Sequence, residues 1–220
     1  MKIAASFLTL QNNIKEKIKL LERSDIDYLH LDVMDGIFVE NKTASFLDIK
    51  NLVSDFKKPL DVHLMVSDVI KYIDIYSELK PLYITFHLEA VSDVMQVVNH
   101  IKRKGCKVGI SIKPSTDVDK LTPYLNEIDL ILVMSVSPGK GGQAFIKDSI
   151  LKIDKLKQIK NNLNYSYLIE VDGGINNETI KLIKNADISV VGSYITNSDN
   201  YSEKVDELLK GGTKWFMQKK

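Results

Sequence analysis

Cysteine is nearly absent: Cys106 is the only one among 220 residues. No internal disulfide can form, nor any cysteine-based zinc site, and the usage fits a reducing cytoplasm. Charge of one sign is lacking too. The 30 Lys and Arg stand against 29 Asp and Glu, a formal net charge of +1. That balance gives no general electrostatic grip on nucleic acid or on an anionic membrane, so any anion must be held by a local site. Long hydrophobic runs are missing. The first, Ile3–Leu8, is ended by Gln11-Asn12-Asn13, too soon for a signal-peptide core. Later runs such as Leu130–Met134 fall far short of a membrane span. A soluble, cytoplasmic protein is expected. No Pro/Gly/Ser-rich linker or low-complexity segment interrupts the chain, so residues 1–220 are read as one domain. A dinucleotide fingerprint is also absent. A doubly wound sheet calls for a glycine-rich turn after its first strand, where Thr9-Leu10-Gln11-Asn12 stands instead.

What the chain has is alternation. Short apolar runs occur at Ile3–Leu8, Tyr28–Val33, Leu60–Leu64, Leu82–Phe86, Lys107–Ile112, Leu130–Met134, Tyr167–Val171 and Ser189–Val191. Longer amphipathic stretches lie between them. In Asn13–Leu21, Ile14, Ile18 and Leu21 recur at helical spacing, as do Ile150, Ile153, Leu156 and Ile159 further on. Strand then helix, repeated, predicts an α/β protein with a parallel sheet wrapped by helices. Eight strand candidates is the closing number of the parallel (β/α)8 barrel.

In such a barrel, function gathers at the C-terminal ends of the strands. The second strand ends in His30-Leu31-Asp32-Val33-Met34-Asp35-Gly36, the third in Asp61-Val62-His63-Leu64-Met65, the fourth in His87-Leu88-Glu89 and the seventh in Glu170-Val171-Asp172-Gly173-Gly174. Alternation sets His30 and Asp32 on one side of their strand. If that side is the interior, a charge there is costly unless paired or metal-bound. His63 joins them from the next strand, and Asp172 faces them from three places around the ring. Two imidazoles and two carboxylates make a reasonable site for one divalent metal, with zinc, iron, cobalt and manganese all tolerating such donors. Each residue also has a plainer role: a strand histidine is commonly a hydrogen-bonded core residue, and Asp35 or Asp172 fits a helix N-cap. His87 and Glu89 are assigned to support of the site or to structure.

Glycines form a second constellation: Ser135-Val136-Ser137-Pro138-Gly139-Lys140-Gly141-Gly142-Gln143 after strand 6, Gly173-Gly174 after strand 7, and Gly192-Ser193 after strand 8. Glycine lets backbone N–H groups approach a phosphate, and barrels often bind phosphate in their last loops. Each pair alone fits a tight turn; together they favour phosphate. The loop from Ser137 to Phe145 is long and glycine-hinged, suited to closing over a ligand.

These motifs, in this order from Ile3 to about Ile195, resemble the ribulose-phosphate 3-epimerase family. The resemblance implies a single TIM barrel of the ribulose-phosphate-binding type and a place in the pentose phosphate pathway. It implies one divalent metal held by His30, Asp32, His63 and Asp172, and no nucleotide cofactor. Asp32 and Asp172 match the acid–base pair. Ser6 matches a substrate-contacting serine, and Met34, Met65 and Met134 match methionines lining the site. His63, Gly139, Lys140, Gly141, Gly142, Asp172, Gly173, Gly174, Gly192 and Ser193 complete the expected substrate contacts. The chain departs from the family at Ala5, where proline is usual, at Lys140, usually aromatic, at Ser137, usually Asn or Glu, and at Glu40-Asn41, usually Pro-Asn.

The implied reaction inverts the carbon beside a ketone through an enediolate, which needs proton transfer on both faces. The expected partner is a small sugar phosphate, with no nucleic acid or membrane, and a homo-oligomer is left open. An epimerase acting on a hexulose phosphate such as allulose 6-phosphate needs the same groups. A phosphosugar decarboxylase on this barrel would carry Lys where Met34 stands. A non-catalytic sugar-phosphate-binding barrel would not need Asp32 and Asp172 intact.

Overall fold

The computed structural model describes residues 1–213; the apolar tail segment Lys214-Trp215-Phe216-Met217, a candidate for an interface or the barrel floor, lies outside the described residues. Eight parallel strands, β1 (Lys2–Ser6), β2 (Tyr28–Met34), β3 (Leu60–Met65), β4 (Tyr83–His87), β5 (Lys107–Ile112), β6 (Leu130–Met134), β7 (Leu168–Asp172) and β8 (Ile188–Val191), close into a barrel in sequence order. The helices α1 (Ile14–Arg23), α2 (Phe46–Val53), α3 (Val69–Tyr76), α4 (Val94–Arg103), α5 (Ser149–Asn162), α6 (Ser193–Thr196) and α7 (Tyr201–Thr213) lie between or after them. The expected strands are all present, displaced by one or two residues at most of their ends.

Local chemistry explains the elements. In α4, Val94, Val97, Val98 and Ile101 are buried on one face, and the Asp93 side chain caps the helix by accepting from the Gln96 N–H at 2.9 Å. Two crossovers are not α-helical. Between β5 and β6 the chain forms a 3₁₀ helix, Val118–Tyr124, with Pro123 inside it. A proline lacks the N–H that an α-helix would use. Between β7 and β8 stands only the 3₁₀ turn Thr179–Lys181.

Each strand is buried on both faces, as a parallel barrel requires. Outward residues such as Leu29, Leu31, Val62, Leu64, Ile84 and Phe86 join the helices in the main apolar core. The interior is divided. Around β6, β8 and β1 it is filled by Ala4, Leu130, Leu132, Met134, Ile188 and Val190. Around β2, β3, β4 and β7 it is polar and almost fully buried: His30, Asp32, Asp61, His63, Thr85, His87 and Glu170. Alternation along four strands puts that polar set on the inner face.

Candidate active site

Register brings the expected ligands together. Asp32 pairs with His63 across β2 and β3, and His30 pairs with Asp61. His30 Nε2 lies 3.5 Å and His63 Nδ1 3.4 Å from the same oxygen, Asp32 Oδ1. Asp172, from β7, brings Oδ2 to 4.0 Å from His63 Nδ1. One donor atom from each of His30, Asp32, His63 and Asp172 falls within 4.8 Å of the others. His30 Nε2 and His63 Nδ1 are buried and have no hydrogen-bond partner among the described groups. Bare imidazole nitrogens facing carboxylate oxygens at more than hydrogen-bond distance are what a cation between them needs, so this donor set fits a divalent metal.

Neighbours fix the set. Ser6 Oγ donates to Asp32 Oδ2 at 2.8 Å, and His30 Nδ1 lies 2.6 Å from Asp61 Oδ2. Asp61 and Glu170 had no role in the reading of the sequence. Both lie two residues from an expected ligand on the same inner face, so strand alternation carried the signal. Asp61, His30 and Glu170 form a second cluster one layer deeper, in which Asp61 Oδ1 and both Glu170 oxygens have no partner among the described groups.

Electrostatics separates the two central carboxylates. Burial alone would raise Asp32, but His30 and His63 overcome it and hold Asp32 far below the ordinary carboxylate range. Burial, then the charge of Asp32, pushes Asp172 up to about 6. Burial alone would lower His30, yet Asp61 and Asp32 raise it well above the ordinary imidazole value. Burial and the charge of Asp61 raise Glu170 strongly. Burial lowers His87 to about 4 against the pull of Glu89.

Above these groups opens one cavity. Ser6, Asp32, Met65, Met134 and Asp172 line it, together with Gly139-Lys140-Gly141-Gly142, Gly173-Gly174 and Gly192-Ser193. His30 and His63 lie buried beneath it. Met34 is buried too, but is not among the lining residues, whereas Leu8 and Thr9, which sequence reading passed over, are. At Gly173 and Gly174, φ is +121° and +65°, and an added Cβ would stand 2.4 Å from Val136 Cγ2 and 2.5 Å from Phe145 N. Both positions therefore demand glycine.

Neither aspartate offered as a helix cap serves as one. Ser45 caps α2, while Asp35 accepts the Ile37 and Phe38 N–H groups and both the N–H and the hydroxyl of Ser67, tying the loop after β2 to the end of β3. That loop meets the glycine loop across the mouth: Asn41 Nδ2 donates to the Gly139 carbonyl at 2.7 Å, and Lys140 Nζ lies 3.1 Å from Glu40 Oε2. Two of the positions at which the chain departs from its expected family thus face each other.

Comparison with known proteins agrees with this geometry. Residues 2–196 match the ribulose-phosphate 3 epimerase family. The chain belongs to that family. It is accordingly a carbohydrate epimerase, an isomerase-class enzyme. A ribulose-phosphate 3-epimerase of Methanocaldococcus jannaschii is 37% identical over 94% of this chain and 89% of its own. One of Treponema pallidum is 41% identical over 79% and 80%, and one of Helicobacter pylori 36% over 94% and 96%. Among solved structures, KGPDC from Streptococcus mutans matches with a TM-score of 0.70 at 13% identity, covering 97% of both chains. The 3-hexulose-6-phosphate synthase from Salmonella typhimurium gives 0.66 at 18% identity over 97% and 99%. Identities this low speak for the barrel alone. Among the described residues of the epimerase, no helix is long and apolar enough to cross a membrane.

Proposed function

We propose that this epimerase interconverts D-ribulose 5-phosphate and D-xylulose 5-phosphate at the barrel mouth, with Asp32 and Asp172 as its two proton-transfer groups. The observation that carries the reading is the pair of carboxylates, from strands three places apart, with opposed proton affinities beside one cavity. Asp32 stays ionised and Asp172 holds a proton up to about pH 6 in the ion-free protein. Two titratable groups pushed apart by their surroundings are the mark of a base and an acid. Asp32 would take the C3 proton on one face and Asp172 deliver one on the other, with the roles exchanged in the reverse direction. Ser6 Oγ, bonded to Asp32, holds that carboxylate in place.

One divalent metal would be held by His30, Asp32, His63 and Asp172. When bound, it supplies Lewis-acid stabilisation of negative charge developing on substrate oxygen. The backbone after β6, β7 and β8, at Gly139–Gly142, Gly173-Gly174 and Gly192-Ser193, would take the phosphate, with Met65 and Met134 as the apolar wall and Met34 behind. Support comes from their sharing the cavity with both aspartates. The KGPDC that resembles this fold has also been solved in complex with D-ribose 5-phosphate, and a sugar phosphate suits this mouth on the same chemical grounds. The reading treats residues 1–220 as one catalytic domain.

The test is solvent exchange. The metal-loaded protein in D2O should convert ribulose 5-phosphate and place deuterium at C3, read by NMR, and Asp172→Asn should abolish it. Turnover of allulose 6-phosphate alone would move the activity to the hexulose phosphate. No exchange with either substrate under several divalent metals would remove the proposal.

A further inference from the structure

Behind His63 a line of side chains leads out of the site. His63 Nε2 lies 2.9 Å from His87 Nε2, and His87 Nδ1 lies 3.2 Å from Glu89 Oε2. Glu89 Oε1 accepts from the Lys113 backbone N–H at 2.8 Å and from the Thr116 hydroxyl. Both imidazoles are fully buried, with ring centroids 4.9 Å apart. The far end of this line has a fixed direction. A backbone N–H only donates, so Glu89 Oε1 accepts; an ionised carboxylate has no proton to give, so Glu89 Oε2 accepts as well. His87 must then carry its proton on Nδ1. With one proton per ring, His87 Nε2 is a lone pair, His63 must donate from Nε2, and His63 Nδ1 is left bare. That bare nitrogen is the atom 3.4 Å from Asp32 Oδ1 and 4.0 Å from Asp172 Oδ2.

We propose that His87 and Glu89 are positioning residues that fix His63 as its Nε2–H tautomer and so aim the Nδ1 lone pair at the ion site. The inference rests on the metal site proposed above, and it assigns a task to two residues that touch neither substrate nor ion. Metal-bound histidines are generally held this way by a partner on the second nitrogen. Here the partner is a second imidazole, and the anchoring carboxylate stands one residue further out, held by the chain after β5.

Glu89→Gln tests it with no change of shape. The Lys113 N–H keeps the amide oxygen, so the amide NH2 must face His87 Nδ1. His87 then carries its proton on Nε2, and His63 is driven to the Nδ1–H form, which blocks the ion. Co²⁺ titration of the ion-free protein at fixed pH should show affinity weakened about 10–100-fold. Long-range ¹H–¹⁵N spectra of the ion-free protein should show His63 as Nε2–H in the wild type and as Nδ1–H in the variant. Thermal melting checks that the variant is folded. His87→Gln keeps the direction, with its carbonyl oxygen toward His63 and its NH2 toward Glu89, and should retain Co²⁺ affinity within about threefold; His87→Leu should not. Equal Co²⁺ affinity in wild type and Glu89→Gln, or an Nδ1–H His63 in the wild type, overturns the proposal. If the wild type bound no Co²⁺ at all, the metal reading would fall, while the tautomer spectra would still decide the hydrogen-bond direction.

Discussion

The two ends of the barrel use the same residue for opposite purposes. At the floor, Asp27, Asp129 and Asp187 each precede a strand, and each accepts the backbone N–H of a neighbouring strand: Ile3 at 2.9 Å, Val108 at 2.8 Å and Ile169 at 3.0 Å. Lys160 Nζ adds a bond to Asp187 at 3.0 Å. These carboxylates are satisfied and tie strand to strand. At the mouth, Asp32 and Asp172 face bare imidazole nitrogens and each other's charge. A satisfied aspartate contributes stability; an unsatisfied one, held in place by its surroundings, is available for a cation and a proton. The comparison teaches that the partner, not the residue type, assigns the role.

Removing one carboxylate from each end should break the comparison most sharply. Asp172→Asn should lower kcat by at least about 100-fold, in a fully folded protein, if proton transfer there is lost. Asp129→Ala should leave kcat within a fewfold while costing about 1–3 kcal/mol, because the Val108 N–H loses its acceptor. Urea unfolding and steady-state kinetics on both variants decide the matter; a catalytic defect at Asp129 or a purely structural one at Asp172 would undo it.

The pH dependence of the ion-free protein sharpens the contrast. Asp172 is raised from 3.8 to about 6, so between those values the folded state binds more protons than the unfolded chain, and stability falls as pH rises through that window. His30, raised above 6.5, acts with the same sign: its contribution is complete below the ordinary value and is lost as pH rises through the elevated one. Unfolding free energy in chelator should therefore decline from about pH 4 through pH 6 and beyond. Added Co²⁺ should flatten the slope, since it takes the proton's place. Asp35 has the opposite sign. Burial would raise it, but its hydrogen bonds from Ser67, Ile37 and Phe38 hold it at about 2, so its contribution is lost only as pH falls below its ordinary 3.8.

The smallest effect belongs to the clasp over the mouth. The Lys140–Glu40 pair is 61% and 86% exposed, so Lys140→Ala should change stability by less than about 1 kcal/mol. Any consequence should appear as a fewfold change in KM, because the loop carrying Lys140 also carries Gly139, Gly141 and Gly142 of the cavity.

Much of the site was legible because strand alternation is a rigid rule. Once His30 and Asp32 are known to share a face, His63 and Asp172 follow at the matching ends of β3 and β7. Asp61 and Glu170 were open to the same reasoning, two residues before an expected ligand on the same inner face. The line from His63 through His87 to Glu89 was not. It depends on ring orientations across β3 and β4 and on the chain after β5 folding back over Glu89, none of which a period of two specifies. Nor did spacing reveal that Val118–Tyr124 winds as a 3₁₀ helix, or that Asp35 anchors a loop instead of capping a helix.

By itself, then, the sequence determined the eight strands, their inward and outward faces and the residue types that reach the mouth, because periodicity and composition are local properties. Only the tertiary structure decided which aspartates find hydrogen-bond donors and which are left facing one another. That depends on register between strands far apart in the chain, and a carboxylate's proton affinity is set by the few groups within a few ångströms of it.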